Sequence, residues 1–133
     1  IHTSTNAEGF KEVGMFLADK IKFKTGLNLQ VNVDKTATII SINQLDALEL
    51  KSSEAYQLII TEDSIVLNSQ TAAGAFRGIQ TIRQIIPEIS NDTLSENEIW
   101  VIPTGKITDA PQFEYRGAML DVSRHFFNLE DVK

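Results

Sequence analysis

Cysteine is absent from the 133-residue chain, which excludes a disulfide framework, a thiolate metal site and a cysteine nucleophile but leaves the redox compartment open. Histidine is almost as scarce. His2 and His125 are too few and too far apart in sequence to supply the three or four ligands of a zinc-type site, and neither a metal nor a cofactor is expected. Positive charge is in deficit, with 12 Lys and Arg against 18 Asp and Glu and a formal net charge of −6. Such a chain repels phosphate backbones and anionic lipid surfaces, so nucleic acid is not an expected partner. No apolar run approaches the ~20 residues of a membrane-spanning helix. Ile1 follows no start Met, charged n-region or hydrophobic h-region, and the sequence is read as a mature form or a cut piece. Its length supports one independent core and not two.

What is present is periodic. A helix is predicted over about 6–24: Thr5 and Glu8 have capping-box spacing, Phe10, Val13, Phe16, Leu17 and Ile21 recur on one face, and Gly26 follows Lys20, Lys22 and Lys24 as a left-handed cap. Leu29, Val31 and Val33 alternate with polar neighbours, and a β-branched run covers Thr36 to Ile42; two strands joined at Asp34-Lys35 are expected. Tyr56 to Ile60 and Ile65 to Leu67, separated by Glu62, Asp63 and Ser64, read as the clearest hairpin. A second amphipathic helix runs over 71–86 and stops at Pro87. Gly74 and Gly78 lie one turn apart inside it, each costing about 1 kcal/mol relative to alanine, which points to close packing on a sheet. A polar loop over 90–98, with the sequon Asn91-Asp92-Thr93, precedes strands expected at Ile99–Ile102 and Lys106–Thr108, and Asp109-Ala110-Pro111 reads as a connector. The order predicts an α+β fold with two helices on one face of a mostly antiparallel or mixed sheet.

The final stretch has a different character. Arg116 to Val122 reads as a strand feeding a strand-to-helix unit, and Asn128, Glu130 and Asp131 form a helix start with a capping residue and acids in the first turn. The string YRGAMLDVSRHFFNLEDVK at 115–133 resembles the first strand and loop of the catalytic barrel of glycoside hydrolase family 20, the β-N-acetylhexosaminidases. TAAGAFRGIQTIRQIIP at 71–87 resembles the long helix of that family's non-catalytic second domain, and ITDAPQFEYRG at 107–117 resembles the join between the two. The resemblance implies a zincin-like accessory domain over 1–110 and the truncated start of a (β/α)8 barrel over 111–133, with that barrel as an intramolecular partner. It also implies hydrolysis of terminal β-linked GlcNAc or GalNAc glycans by substrate-assisted, retaining catalysis, and a bacterial periplasmic or extracellular location.

The family's catalytic pair is an Asp followed by a Glu. The Asp orients the substrate's acetamido group, and the Glu protonates the leaving oxygen. No such pair occurs here: Glu62-Asp63 and Glu130-Asp131 are reversed, and Trp100, the single tryptophan, lies upstream of the barrel-like string. No catalytic residue is therefore expected in this chain, which is expected to be inactive alone. The resemblance assigns one substrate-binding residue, Arg116, whose planar guanidinium suits two vicinal sugar hydroxyls. Asp121, Ser123, Arg124 and His125 mimic a nucleophilic triad in composition, but residues this close on one strand cannot converge, and an Asp121–Arg124 ion pair at the barrel mouth is expected instead. Without neighbouring strands, 113–133 is expected to be disordered, to fold back on its own sheet, or to pair with another copy, the last being favoured together with a crystal-stabilised tail. Two alternatives are a free-standing glycan- or protein-binding module and the accessory domain of a family 84 glucosaminidase.

Overall fold

The computed structural model describes residues 1–4, 8–32, 39–45, 52–87 and 101–132. The elements in chain order are β1 (His2–Thr3), α1 (Phe10–Thr25), β2 (Ile40–Gln44), β3 (Tyr56–Ile60), β4 (Ile65–Ser69), α2 (Ala72–Ile85), β5 (Gly105–Asp109) and α3 (Leu129–Val132).

Local chemistry sets most boundaries. α2 starts where the Thr71 side chain accepts from the Gly74 amide at 3.2 Å. It ends at Ile86, whose extended backbone (φ −66°, ψ 123°) is the conformation imposed on a residue before proline. Gly26 closes α1 at φ 74° and donates its amide to Lys22 O, as its position after the lysines predicts. The start of α1 differs from the reading above. Gly9, at φ 79°, turns the chain into the helix without a side-chain cap, so α1 begins at Phe10 rather than near residue 6. Thr5 lies outside the described residues, and Glu8 precedes the helix.

The five strands form one mixed sheet in the order β1-β2-β4-β3-β5. β1 pairs parallel to β2 and β2 parallel to β4, whereas β3 is antiparallel to both β4 and β5. The expected hairpin is present, with Tyr56 opposite Ser69 and Ile60 opposite Ile65. Its turn is fixed by Thr61, whose hydroxyl accepts from the Asp63 and Ser64 amides at 3.3 and 3.0 Å. The sheet is mixed, within the mostly antiparallel or mixed range expected, and α1 carries the chain from β1 back to a parallel start at β2.

The described residues of two expected strands form no ladder. Leu29 and Val31 lie in irregular chain that ends in a turn at Asn32 (φ 60°). That chain is tied to the β1 side by Ile1 N donating to Gln30 O at 2.7 Å and by Asn32 N donating to Ile1 O at 2.8 Å. Val33, the Asp34-Lys35 turn and residues 36–38 are outside the described residues, as are 90–98, Ile99 and Trp100. Val101 and Ile102 form no ladder; Ile102 packs its side chain against the core instead.

The register shows that both helices lie on one face. Thr3, Ile42, Leu67, Leu58 and Ile107 occupy one row across the sheet. A Cβ on Gly14 of α1 would meet Thr3 Cγ2 at 2.6 Å, and one on Gly78 of α2 would meet the methyls of Leu67, with Cδ2 at 2.9 Å. The two glycines thus let both helices close onto the same row, and Gly78 gives the close packing on the sheet that was expected for α2. Phe10, Leu17, Ile42, Leu58, Leu67 and Ile79 are fully buried between the layers, each contributing about 1.5–3 kcal/mol. The helices also touch each other. Phe16 meets Phe76 with ring centroids 5.4 Å apart, and the Lys24 ammonium donates to Arg83 O and Ile86 O at 3.0 and 2.5 Å, capping the carbonyl end of α2.

Candidate functional site

The densest polar cluster stands where α2 meets the turn before β3. That turn is closed by the Ala55 amide donating to Ser52 O at 3.0 Å and the Glu54 amide donating to Ser52 Oγ at 3.2 Å. The Thr71 hydroxyl donates to Ser53 O at 2.5 Å, which fastens the turn to the start of α2. Gly74 completes the fit, because a side chain there would run into Ala55 O and would reach Ser53 O at 3.2 Å. Arg77 follows Gly74 on the same face of α2. From there its Nε and Nη2 donate to Glu54 Oε1 at 2.9 and 2.7 Å.

Arg116 approaches the same carboxylate from the far end of the chain. Its Nη2 lies 2.8 Å from Glu54 Oε1 and 2.7 Å from Oε2, and its Nη1 donates to Phe113 O. The three side chains are partly open to water, Glu54 being 23% and Arg116 36% exposed. The hydrogen bonds of Arg116, and secondarily those of Arg77, hold the Glu54 carboxyl below its ordinary value; its partial burial opposes them. Nearby, Tyr56 shares a 2.6 Å hydrogen bond with Thr81 and reaches Asp109 at 3.5 Å. Burial pushes its phenol up, and the Asp109 charge acts in the same direction.

Arg116 is not on a strand. The expected strand over 116–122 is absent, and among the described residues of 110–132 the one regular element is the four-residue α3. A strand is stabilised by backbone partners, and none of the described strands pairs with this segment. Tyr115, Met119 and Phe126 are 80% exposed or more. The segment is nevertheless locally ordered by its polar residues. Asp121 Oδ1 accepts from the Ser123 and Arg124 amides at 2.9 and 3.4 Å, and its Oδ2 stands 3.4 Å from Arg124 Nε, giving the expected ion pair. His125 stacks edge-on with Phe127, with centroids 5.0 Å apart, while the Asp121 carboxylate is engaged by the Ser123 amide and Arg124. Asn128 and Asp131 form a reciprocal capping box: Asn128 Oδ1 accepts from the Asp131 amide at 2.9 Å and Asp131 Oδ2 from the Asn128 amide at 3.4 Å.

Arg116 is singled out in the sequence through resemblance, whereas Glu54, which it meets in the structure, and Arg77, which meets the same carboxylate, are not. Arg77 reads as an ordinary outward-facing helix residue. Glu54 and Arg116 are 62 residues apart, and no local pattern reports such a pairing. Two surface cavities lie elsewhere. One, of about 430 Å³, sits between the helix ends beside Lys20, Phe23, Lys24 and Arg83; the other, of about 260 Å³, is apolar and lined by Leu29, Ile40, Ile65 and Ile102 among others. Neither holds a carboxylate. Among the described residues no helix is long and apolar enough to cross a membrane.

The described residues thus form a two-layer α+β unit followed by a segment with little regular structure. Residues 4–110 match the family described as glycosyl hydrolase family 20, domain 2, and the chain belongs to that family. It is 37% identical over 133 residues to a beta-hexosaminidase of Porphyromonas gingivalis, covering 96% of this chain and 17% of that protein. A beta-N-acetylhexosaminidase of Cellulomonas fimi is 28% identical over 123 residues, covering 91% of this chain and 23% of that protein. The N-acetyl-beta-hexosaminidase of Streptomyces plicatus, solved in complex with Thio-NAglucal, superposes with a TM-score of 0.79 at 31% identity. That match covers 97% of this chain and 26% of the Streptomyces chain. A mutant of the same Streptomyces enzyme has been solved with GlcNAc as product. The chain thus spans about a fifth of the length of the curated relatives named here.

Proposed function

We propose that this chain is the accessory portion of a β-N-acetylhexosaminidase, and that its last segment carries one substrate-binding group of that enzyme, Arg116. The reaction is hydrolysis of terminal β-linked GlcNAc or GalNAc by the substrate-assisted retaining route. On this reading 1–110 is the non-catalytic layer and 111–133 opens the catalytic barrel, its intramolecular partner; the enzyme works in the periplasm or outside the cell. The observation that carries the reading is the family match over 4–110, followed five residues later by the Tyr115-Arg116-Gly117 string. The arginine's chemistry agrees. Among the described residues its Nε–H makes no hydrogen bond, so it keeps a donor for a sugar hydroxyl.

The chain supplies no Asp followed by Glu, and so no acid–orienter pair for the substrate-assisted step. Purified alone, it should release no chromophore from an aryl β-N-acetylglucosaminide, because nothing in it lowers the barrier by the ~8 kcal/mol or more that enzymes supply. In the complete enzyme Arg116→Ala should lower kcat/KM about 10- to 150-fold, the worth of one charged hydrogen bond of about 1.5–3 kcal/mol. Arg116→Lys should not restore it, since an ammonium lacks the planar fork. Turnover by the isolated chain, or an Arg116→Ala enzyme as active as the parent, overturns the reading. Saturable glycan binding by the isolated chain favours a free-standing module instead.

A further inference from the structure

We propose that the cleft between the carbonyl ends of α1 and α2 is a docking surface for a short acidic segment of a protein partner, one that carries carboxylates beside apolar side chains. This surface stands apart from the reaction and from any role of Arg116.

The cleft encloses about 430 Å³ and is walled by Lys20, Phe23 and Lys24 of α1 and by Gln80, Arg83 and Gln84 of α2. Acids outnumber bases in the chain by 18 to 12, yet none occurs in 20–33 or 64–87, the stretches that supply these walls. The ion pairs among the described residues use Arg77, Arg116 and Arg124, so Lys20, Lys24 and Arg83 meet no carboxylate among them. Three cations without a counter-charge make an island of positive potential on an acidic molecule.

Each cation is placed by what it touches. Lys24 is engaged at the end of α2, where its bonds to Arg83 O and Ile86 O answer the negative pole of that helix, as the Gly26 amide does for α1. The remaining charge lies with Lys20 and Arg83. Both stand over the Phe16 ring, the ammonium at 5.2 Å and the guanidinium carbon at 5.8 Å from its centroid. Arg83 gives Nη1 to Gln80 Oε1 at 2.5 Å; its Nε and Nη2, and the Lys20 ammonium, make no hydrogen bond among the described residues. Those donors are open to a carboxylate, which the planar guanidinium is shaped to receive.

Phe23 supplies the apolar half. Its ring, on the wall of the cleft, is 92% exposed, and Leu27 four residues on is exposed as well. An aromatic ring beside an arginine is the side-chain pairing in which protein interfaces are enriched. The size of the island selects the partner. Lys20 and Lys24 are separated by about 6 Å of helix rise, and exposed Asp19 and Glu12 lie just beyond them on α1. A long, uniform polyanion would run from the cations onto these acids, whereas a segment with one or two carboxylates and an apolar side chain fits within the cleft. The cleft is also clear of the junction: β5 ends at Asp109 opposite Tyr56, which lies beside Ser69 and the start of α2. The chain thus leaves the sheet at the other end of α2, about 20 Å of helix away.

The test is fluorescence anisotropy of this chain with a labelled peptide of alternating glutamate and leucine, with its glutamine counterpart, and with labelled dextran sulfate. The glutamate peptide is expected to bind about tenfold more tightly than the glutamine one, an advantage that shrinks as salt is added. Lys20→Gln, Arg83→Gln and Phe23→Ala should each weaken it about three- to tenfold with Tm nearly unchanged. Arg83→Lys, which keeps the charge but loses the fork, should fall between parent and Arg83→Gln. If Arg83→Gln does not fold, Arg83→Lys and Phe23→Ala carry the comparison. A glutamate peptide that does not bind, or binding indifferent to these substitutions, overturns the docking surface. Dextran sulfate held more tightly than the peptide at the same salt, and lost with the same variants, overturns the choice of an acidic protein segment.

Discussion

Residues 56–69 and residues 113–127 are both rich in apolar side chains, yet they behave in opposite ways. In the first stretch Tyr56, Leu58, Ile60, Ile65 and Leu67 are buried; in the second Phe113, Tyr115, Met119, Leu120 and Phe126 are all exposed. The difference is not hydrophobicity but backbone partnership. The first stretch carries its own partner, since the turn at Thr61 to Ser64 folds β3 back on β4, and β2 and β5 complete both sides. The second has no such turn, and its polar residues satisfy each other locally through Asp121 and the Asn128–Asp131 box. An apolar pattern proposes a strand; a neighbour with free backbone groups is needed to make one.

The largest effect that would break this contrast is a truncation in each region. Leu67→Ala empties a site at the centre of the buried row and should cost about 2–5 kcal/mol in urea unfolding of the chain. Phe126→Ala removes a larger side chain that is 80% exposed and should stay within about 0.5 kcal/mol. Comparable losses from both would mean that the terminal segment has a core of its own.

Gly78 sharpens the same point. In an exposed helix Gly→Ala gains about 1 kcal/mol from propensity alone. At 78 the new Cβ would lie 2.9 Å from Leu67 Cδ2 and closer still to Cδ1, so Gly78→Ala should destabilise by about 1–3 kcal/mol instead. The sign should reverse in the Leu67→Ala background, where the obstructing methyls are gone. A destabilisation that persists there would place the strain in the backbone rather than against Leu67.

A smaller effect is expected at Lys24, whose ammonium joins the two helices by donating to Arg83 O and Ile86 O at the end of α2. Lys24→Met keeps the stem and removes the donors, and should cost about 0.5–1.5 kcal/mol. Amide exchange should quicken at the last turn of α2 and not in α1. Uniform quickening would show that the contact supports the whole layer.

These contrasts also mark what could be read from the residues. Features decided within a few positions were legible: the hairpin at 56–69, the Thr71-to-Pro87 helix, the Gly26 cap, the packing glycines at 74 and 78, and the Asn128 box. Features decided at a distance were not. β1 is two residues long, too short to show any alternation, yet it adds a parallel pair at the β2 edge of the sheet. Leu29 and Val31 alternate correctly but have no ladder to join, while Gly9 moves the start of α1 by a turn that no side-chain cap announces. The site divides in the same way. Arg116 stood out through the YRG string, but the carboxylate it meets lies 62 residues upstream and carries no motif.

The smallest effect on stability, and the most local, concerns the link between the two regions. Because Arg116 and Arg77 hold the Glu54 carboxyl below its ordinary value, the link contributes what it can at any pH above the usual glutamate value of about 4.3. It fades only as the pH drops through the lowered value, where the folded-state carboxylate takes up its proton. Between these two points an unpaired glutamate would already be protonated while Glu54 still holds Arg116. Backbone relaxation of residues 113–118 should therefore stay constant from neutral pH to below about 4.3, and mobility should rise only as the pH passes through the lowered value, with β3 and β4 unchanged. Glu54→Gln should show the mobile form at every pH. Added salt should act in the same direction as acid, because the groups are partly exposed and screening weakens such pairs. Mobility at 113–118 that ignores both acid and salt would mean that Phe113 O and local turns, rather than Glu54, hold Arg116, and would remove the one ionic tie that the described residues make between the buried region and the open one.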